Sequence, residues 1–132
     1  MLGAEWLLRE EKSLQLGPRS RPEPDLAIVR APLSLYKQRG PNARETSIIV
    51  EVAESSFRYD RGRKWRRYAA AEVPAYWIVH LKKRQIEVYR DPAGVGESAA
   101  YRTIEVYGED AAVPVIIAGV EVGRVVVRDI LP

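Results

Sequence analysis

The sequence predicts an α/β (α+β) fold, with a mixed β-sheet flanked by helices and a C-terminal half rich in strands. Residues 48–53, IIVEVA, form the apolar, β-branched kind of run that is typical of buried strands. Residues 60–72 have helical spacing, and Val73-Pro74 ends that helix because proline cannot continue it. From residue 75 onward, short apolar runs alternate with polar connections, as in strands joined by hairpins.

Composition limits the classes of protein that fit. A chain of 132 residues suits one core, so residues 1–132 are interpreted as a single domain. The absence of cysteine excludes disulfides and thiolate chemistry and fits a reducing cytoplasm. No apolar run approaches the roughly 20 residues of a membrane helix, and we see no signal peptide. The net charge of +3 favours anionic partners only weakly.

The N-terminal half contains three candidate strands. Residues 13–16 alternate in polarity and suggest a short edge strand. Leu26 to Val29 is an apolar run that follows Pro24-Asp25, which predicts a second strand entered in an extended conformation. Residues 30–46 are a long basic connection, and residues 48–53 form the third strand.

The predicted helix begins at Asp60, an acidic N-cap that suits the positive end of the helix dipole. Trp65, Tyr68 and Ala69 recur at helical spacing and face the core, and Lys64 lies beside this apolar stripe. Further strands are predicted at residues 75–81, 85–90, 101–107, 113–117 and 120–127, and residues 129–132 form a short tail. In the strand at residues 85–90, Ile86 and Val88 lie on one face, which is typical of a half-buried strand in a hairpin.

Two carboxylates stand at strand positions. Glu51 interrupts an apolar strand, where it is either a buried charge that requires a partner or a strand-end residue that reaches water. Asp25 is either a turn residue or an acid at the mouth of the second strand. If the two strands are adjacent, Asp25 and Glu51 lie close together, and a hard cation such as Mg²⁺ relieves their repulsion. A nearby Lys64 can then orient the attacking water in metal-assisted phosphodiester hydrolysis.

Basic residues crowd the segment before and within the predicted helix. They are either one solvated helix face or a set of phosphate contacts, for which arginine and lysine are the usual groups. The candidate nucleic-acid contacts are Arg58, Arg61, Arg63 and Arg67. His80 is the only histidine and stands at a strand end, so we interpret it as structural.

Several short motifs together resemble a known family. They are Pro24-Asp25, Ile49-Val50-Glu51-Val52, Glu54-Ser55-Ser56, Tyr59-Asp60, Lys64 and Val73-Pro74-Ala75-Tyr76-Trp77-Ile78-Val79. From about Leu14 to the C-terminus the chain resembles the Uma-two family of restriction endonucleases, within the PD-(D/E)XK nuclease superfamily. The resemblance implies a restriction-endonuclease-like fold and Mg²⁺- or Mn²⁺-dependent hydrolysis of DNA.

The resemblance also assigns roles to residues. Asp25 and Glu51 match the two metal-binding acids, and the backbone carbonyl of Val52 is a further ligand by analogy. The plain motif has a lysine two residues after the second acid, where this chain has Ala53. In this family that lysine is displaced onto the following helix, and Lys64 matches it.

The chain departs from the family at its N-terminus. Family members carry an additional N-terminal part that often supplies another acidic residue, and we expect this chain to be truncated there. The leading interpretation is a DNA endonuclease. The alternative is a catalytically inactive remnant that binds nucleic acid or acts as an assembly subunit. Sheet surface left uncovered by the shortened N-terminus favours a homodimer.

Overall fold

Eight strands, two short α-helices and three single-turn 3₁₀ helices make up the regular structure of residues 2–54 and 64–132, the residues that the computed structural model describes. The 3₁₀ helices lie at Leu33–Tyr36, Ala43–Glu45 and Gly96–Ser98. The strands are β1 (Trp6–Glu10), β2 (Leu26–Arg30), β3 (Thr46–Ala53), β4 (Ala75–His80), β5 (Gln85–Ala93), β6 (Ala100–Tyr107), β7 (Ala112–Ile117) and β8 (Val120–Val126). The helices are α1 (Trp65–Ala70) and α2 (Val127–Ile130).

The first six strands form one sheet in the order β1-β2-β3-β4-β5-β6. Strands β3 and β4 are parallel, and the other neighbours in this sheet are antiparallel. A parallel pair needs a crossover connection, and α1 lies in the connection between β3 and β4. Strands β7 and β8 form a separate antiparallel hairpin. The predicted mixed sheet with a β-rich C-terminal half is therefore confirmed.

The two faces of the large sheet have separate cores because successive side chains on a strand point to opposite faces. The helix face carries Ile49, Tyr76 and Tyr89, which pack with Tyr68 of α1. The hairpin face has its own cluster, in which residues of β2 to β5 pack with Val113, Val115 and Ile117 of β7. Each large side chain buried in this way contributes about 1.5–3 kcal/mol to folding.

Helix α1 is anchored and ended by identifiable contacts. The ring of Tyr68 packs edge-on against Tyr76, with 5.0 Å between ring centroids. After the helix, Glu72 adopts a left-handed conformation with φ of 62°. The Glu72 N–H donates to the carbonyl of Ala69 and the Val73 N–H donates to that of Tyr68, which is the Schellman arrangement. The helix therefore ends at Ala70 rather than at the expected residue 72, and its expected residues 60–63 lie outside the described residues.

The edge strand differs from the expected one. The predicted strand at residues 13–16 is wrong, and β1 at Trp6–Glu10 is the strand that pairs with β2. In the 13–16 segment, Leu14 is buried, and its N–H donates to Pro22. Gln15 N–H donates to Pro41, so the segment hydrogen-bonds to two different loops instead of to one partner strand.

None of the helices among residues 2–54 and 64–132 has the length and hydropathy that a membrane span requires.

Candidate metal centre at the ends of β2 and β3

Glu51 is a buried carboxylate on the helix face of β3. It is only 3% exposed, so the alternative in which it reaches water is wrong. Glu51 and Ile49 are two positions apart on β3, so the Glu51 side chain points to the same side of the sheet as Ile49, the side on which α1 packs. A carboxylate in such a place destabilises the fold unless a cation or hydrogen-bond donors compensate it.

Lys64 provides a compensating charge. Its ammonium Nζ lies 2.5 Å from Oε2 of Glu51. Lys64 immediately precedes α1, and its neighbour Trp65 packs against Tyr89 and Tyr101, so the packing of the helix places the lysine over β3. The side chain of Lys64 is 29% exposed, so the lysine is only partly withdrawn from solvent.

Asp25 stands beside Glu51 at the end of β2. Leu26 pairs with Val50, and continuation of the same antiparallel register places Asp25 opposite Glu51. Asp25 shares the helix face with Ala27 because alternate residues of a strand share a face. Oδ2 of Asp25 accepts a hydrogen bond of 2.7 Å from the backbone N–H of Val52. The structure therefore brings Asp25, Glu51, Val52 and Lys64 together.

The donor atoms at this point suit a hard divalent cation. Two carboxylates and a backbone carbonyl are oxygen ligands, which Mg²⁺ prefers, and Mg²⁺ usually keeps several waters. Among residues 2–54 and 64–132, no group of three or more His, Asp or Glu side chains is arranged to hold a metal. The residues fit a metal site that has few protein ligands and completes its coordination with water.

The predicted nucleic-acid contacts are only partly described. Arg67 lies on α1 and is exposed to solvent, as is its neighbour Arg66. Arg58, Arg61 and Arg63 lie outside the described residues, so their expected role stays a prediction.

His80 is buried at the end of β4. Its Nδ1 accepts a hydrogen bond of 3.2 Å from the backbone N–H of Lys83, in the turn that leads to β5. That contact supports the structural role expected for this histidine.

Glu87 is a buried carboxylate that sequence reasoning missed. Alternation in β5 indicated that Ile86 and Val88 face a core, which left Glu87 and Tyr89 for solvent. In the structure both faces of β5 are covered, so Glu87 is 2% exposed and Tyr89 is 1% exposed. The nearby aromatic residues of α1 and β4 were the available sign that this second face is also buried.

Comparisons with known proteins agree with this architecture. A family model described as "Uma2: Putative restriction endonuclease" matches residues 2–125. Among solved structures, the chain is similar to a crystal structure titled as a putative nuclease belonging to DUF820 from Anabaena variabilis. That likeness has a TM-score of 0.63 at 15% sequence identity and covers 96% of this chain and 68% of the other. No curated protein matches the chain.

Proposed function

Because the chain belongs to the Uma2 family of restriction-endonuclease-like proteins, we propose that it is a Mg²⁺-dependent endonuclease that hydrolyses DNA phosphodiester bonds. The observation that carries this proposal is the buried Glu51, which is paired with Lys64 and lies opposite Asp25 at the ends of two adjacent strands. A buried carboxylate is costly in a purely structural strand, whereas metal-assisted hydrolysis makes use of carboxylate ligands.

Each residue has a distinct role in this proposal. Asp25, Glu51 and the carbonyl of Val52 would hold Mg²⁺ or Mn²⁺. When bound, the cation supplies Lewis-acid stabilisation of the negative charge on the reacting phosphate. The hydrogen bond from the Val52 N–H fixes the carboxylate of Asp25 beside the β3 backbone, so this ligand is positioned before the cation arrives.

Lys64 supplies a catalytic positive charge that belongs to the protein and not to a bound metal. Its ammonium orients the hydrolytic water and offsets charge on the phosphate. In the described structure that ammonium contacts Glu51, so a divalent cation must compete with it for the carboxylate. The long, partly exposed lysine side chain can turn from Glu51 toward a bound phosphate.

DNA is the proposed partner. Arg67 presents a positive charge on α1, directly after the site, and the preceding Arg58, Arg61 and Arg63 extend the basic segment in sequence. Such groups bind phosphates independently of base sequence. A cytoplasmic location also belongs to the proposal and fits the absence of cysteine.

We propose that the chain forms a homodimer through the hairpin face of the large sheet. An apolar groove of about 650 Å³ runs along this face, and its lining includes Leu8, Leu26, Val50 and Ile130. Leu8 is 53% exposed and Ile130 is 46% exposed. Exposed contiguous apolar surface favours association, and a second copy of the chain is the proposed partner.

A second function has one observation in its favour. Lys64 already pairs with Glu51, and among the described residues only two acids meet at the site. A protein with this arrangement can bind nucleic acid through its basic residues without cleaving it. Cleavage distinguishes the two functions.

The test is metal-dependent cleavage by the purified protein. We expect it to cut supercoiled plasmid DNA with Mg²⁺ or Mn²⁺, and we expect chelation to stop the reaction. Glu51→Gln should abolish cleavage, whereas Glu121→Gln, at an exposed position on β8 of the separate hairpin, should not. If folded protein cuts none of supercoiled, linear or single-stranded DNA, the endonuclease function is wrong and binding without cleavage takes its place.

A further inference from the structure

Glu87 and Tyr89 form a second buried polar pair on the helix face. The hydroxyl of Tyr89 donates a hydrogen bond of 2.6 Å to Oε1 of Glu87. Both residues are at most 2% exposed. Burial of a carboxylate is costly, and an apolar residue would serve a purely structural strand better. We therefore expect this buried carboxylate and hydroxyl to have a role other than core packing.

Sheet register places this pair on the same face as the candidate metal centre. Glu51 pairs with Ile78 across β3 and β4, and Ile78 pairs with Glu87 across β4 and β5. The two glutamates consequently point to the same side of the sheet from positions two strands apart. Two strand spacings amount to roughly 10 Å, so Glu87 lies near the centre without joining it as a ligand.

Aromatic packing connects the pair to the catalytic lysine. The ring of Tyr89 packs edge-on against Trp65, with 6.3 Å between centroids and 73° between planes. Trp65 is the first residue of α1 and directly follows Lys64, whose ammonium contacts Glu51. A fixed Tyr89 ring therefore fixes the start of α1 and, with it, the origin of the Lys64 side chain.

We propose that Glu87 is a positioning residue that holds Lys64 over Glu51 by fixing Tyr89, on which Trp65 packs. This inference rests on the proposed nuclease function and extends it to a residue that does not touch metal or DNA. The hydrogen bond restrains the Tyr89 ring, and edge-to-face packing is specific enough in geometry to pass that restraint to Trp65.

The test separates positioning from simple core stability. Tyr89→Phe removes one oxygen, Glu87→Ala removes the acceptor, and Glu87→Gln keeps an acceptor for the hydroxyl. The control is a similar pair on β6, where Tyr107 donates to Glu105 at 3.1 Å and packs with the hairpin-face cluster instead of with α1. Tyr107→Phe removes the same oxygen from that pair.

We expect Tyr89→Phe and Glu87→Ala to lower kcat about tenfold, as loss of one positioning hydrogen bond would, with KM for DNA within about twofold. Glu87→Gln should retain most of the rate, and Tyr107→Phe should retain all of it. On a Lys64→Ala background, Tyr89→Phe should cause no further loss because the residue through which it acts is gone. An equal loss on that background would overturn the proposal.

A second measurement does not depend on cleavage. The side-chain ¹⁵Nζ signal of Lys64, assigned by its loss in Lys64→Ala, should shift in Tyr89→Phe and stay in place in Tyr107→Phe. If the signal shifts but wild-type protein cuts no DNA, the positioning holds and the nuclease function fails. If the signal does not move, the positioning is wrong whatever the activity. Should Glu87→Ala fail to fold, the milder Tyr89→Phe decides.

Discussion

The ammonium of Lys64 lies 2.5 Å from Oε2 of Glu51, and the two residues are separated by 13 positions in the chain. Glu51 is almost fully buried and the Lys64 side chain is 29% exposed, so the pair joins the interior of β3 to the partly exposed start of α1. Removal of the Lys64 charge takes this compensation away from a buried carboxylate, whereas removal of both charges does not. Replacing Lys64 alone should therefore destabilise the fold more than replacing both members of the pair.

The first prediction concerns this pair. Lys64→Met should lower the free energy of unfolding by about 1–3 kcal/mol because it leaves Glu51 buried without this cation. Glu51→Gln combined with Lys64→Met should recover most of that loss, since neither charge remains. Urea unfolding of the two single variants and the double variant measures the coupling. Additive losses in the double variant would show that the pair does not stabilise the fold.

A second prediction separates the two roles of Asp25. Asp25→Asn keeps an oxygen that can accept the hydrogen bond from the Val52 N–H but removes the ligand charge, so it should abolish metal-dependent cleavage with little change in stability. Asp25→Ala should abolish cleavage and also lower the free energy of unfolding by about 1 kcal/mol through loss of that hydrogen bond. Paired cleavage and thermal unfolding assays check both statements. Full activity in Asp25→Asn would exclude a ligand role.

The basic residues give a third prediction. Replacement of Arg61, Arg63 and Arg67 by alanine should weaken binding to all DNA sequences and reduce the slope of log affinity against log salt by about 1 for each phosphate that is no longer neutralised. Titrations at several salt concentrations measure the slope. Arg102→Ala, at an exposed position on β6, is the control and should leave it unchanged. An unchanged slope in the triple variant would assign the cluster to a solvated helix face.

The central strands were predictable because their apolar, β-branched runs leave few alternatives. The approach of Asp25 to Glu51 was expected on the condition that their strands are adjacent, and β2 and β3 are neighbours in the sheet. The edge strand β1 was missed because Trp6-Leu7-Leu8 does not alternate in polarity. Tertiary pairing with β2 determines that strand. Local sequence does not specify it.

Burial on the helix face was harder to infer. Glu87 and Tyr89 were expected on the solvent side of β5 because Ile86 and Val88 alternate with them. The face is covered by α1, whose Trp65 packs against Tyr89 of β5 from 24 positions earlier in the chain. Only the three-dimensional arrangement shows that both sides of this strand are interior. The carboxylate of Glu87 could not be recognised as buried from its neighbours in sequence.

A fourth prediction tests association through the hairpin face. Wild-type protein should be a dimer in light scattering, and Leu8→Glu should be a monomer, since a carboxylate in the apolar groove opposes contact with a second copy. Leu33→Glu is the matched control: Leu33 is 63% exposed and does not line the groove, so the dimer should persist. A monomeric wild-type protein at high concentration would contradict the dimer.

The fifth prediction follows from Tyr101, whose hydroxyl donates a buried hydrogen bond of 2.8 Å to the carbonyl of Val73. Burial first, and then the nearby Tyr68, raise the pKa of Tyr101 well above its ordinary value of 10.0. The folded state therefore favours the neutral phenol. The contribution of the buried Tyr101 hydroxyl to stability is fully present below pH 10 and is lost as the pH rises above 10, where only the unfolded chain ionises readily.

Tyr101→Phe should be less stable at neutral pH, by about 1 kcal/mol, but should lose stability less steeply in alkali. Ser98→Ala, which also removes a hydroxyl bonded to a backbone carbonyl, should keep the wild-type slope. Equal alkaline slopes for Tyr101→Phe and wild type, measured by urea unfolding across this range, would contradict the raised pKa.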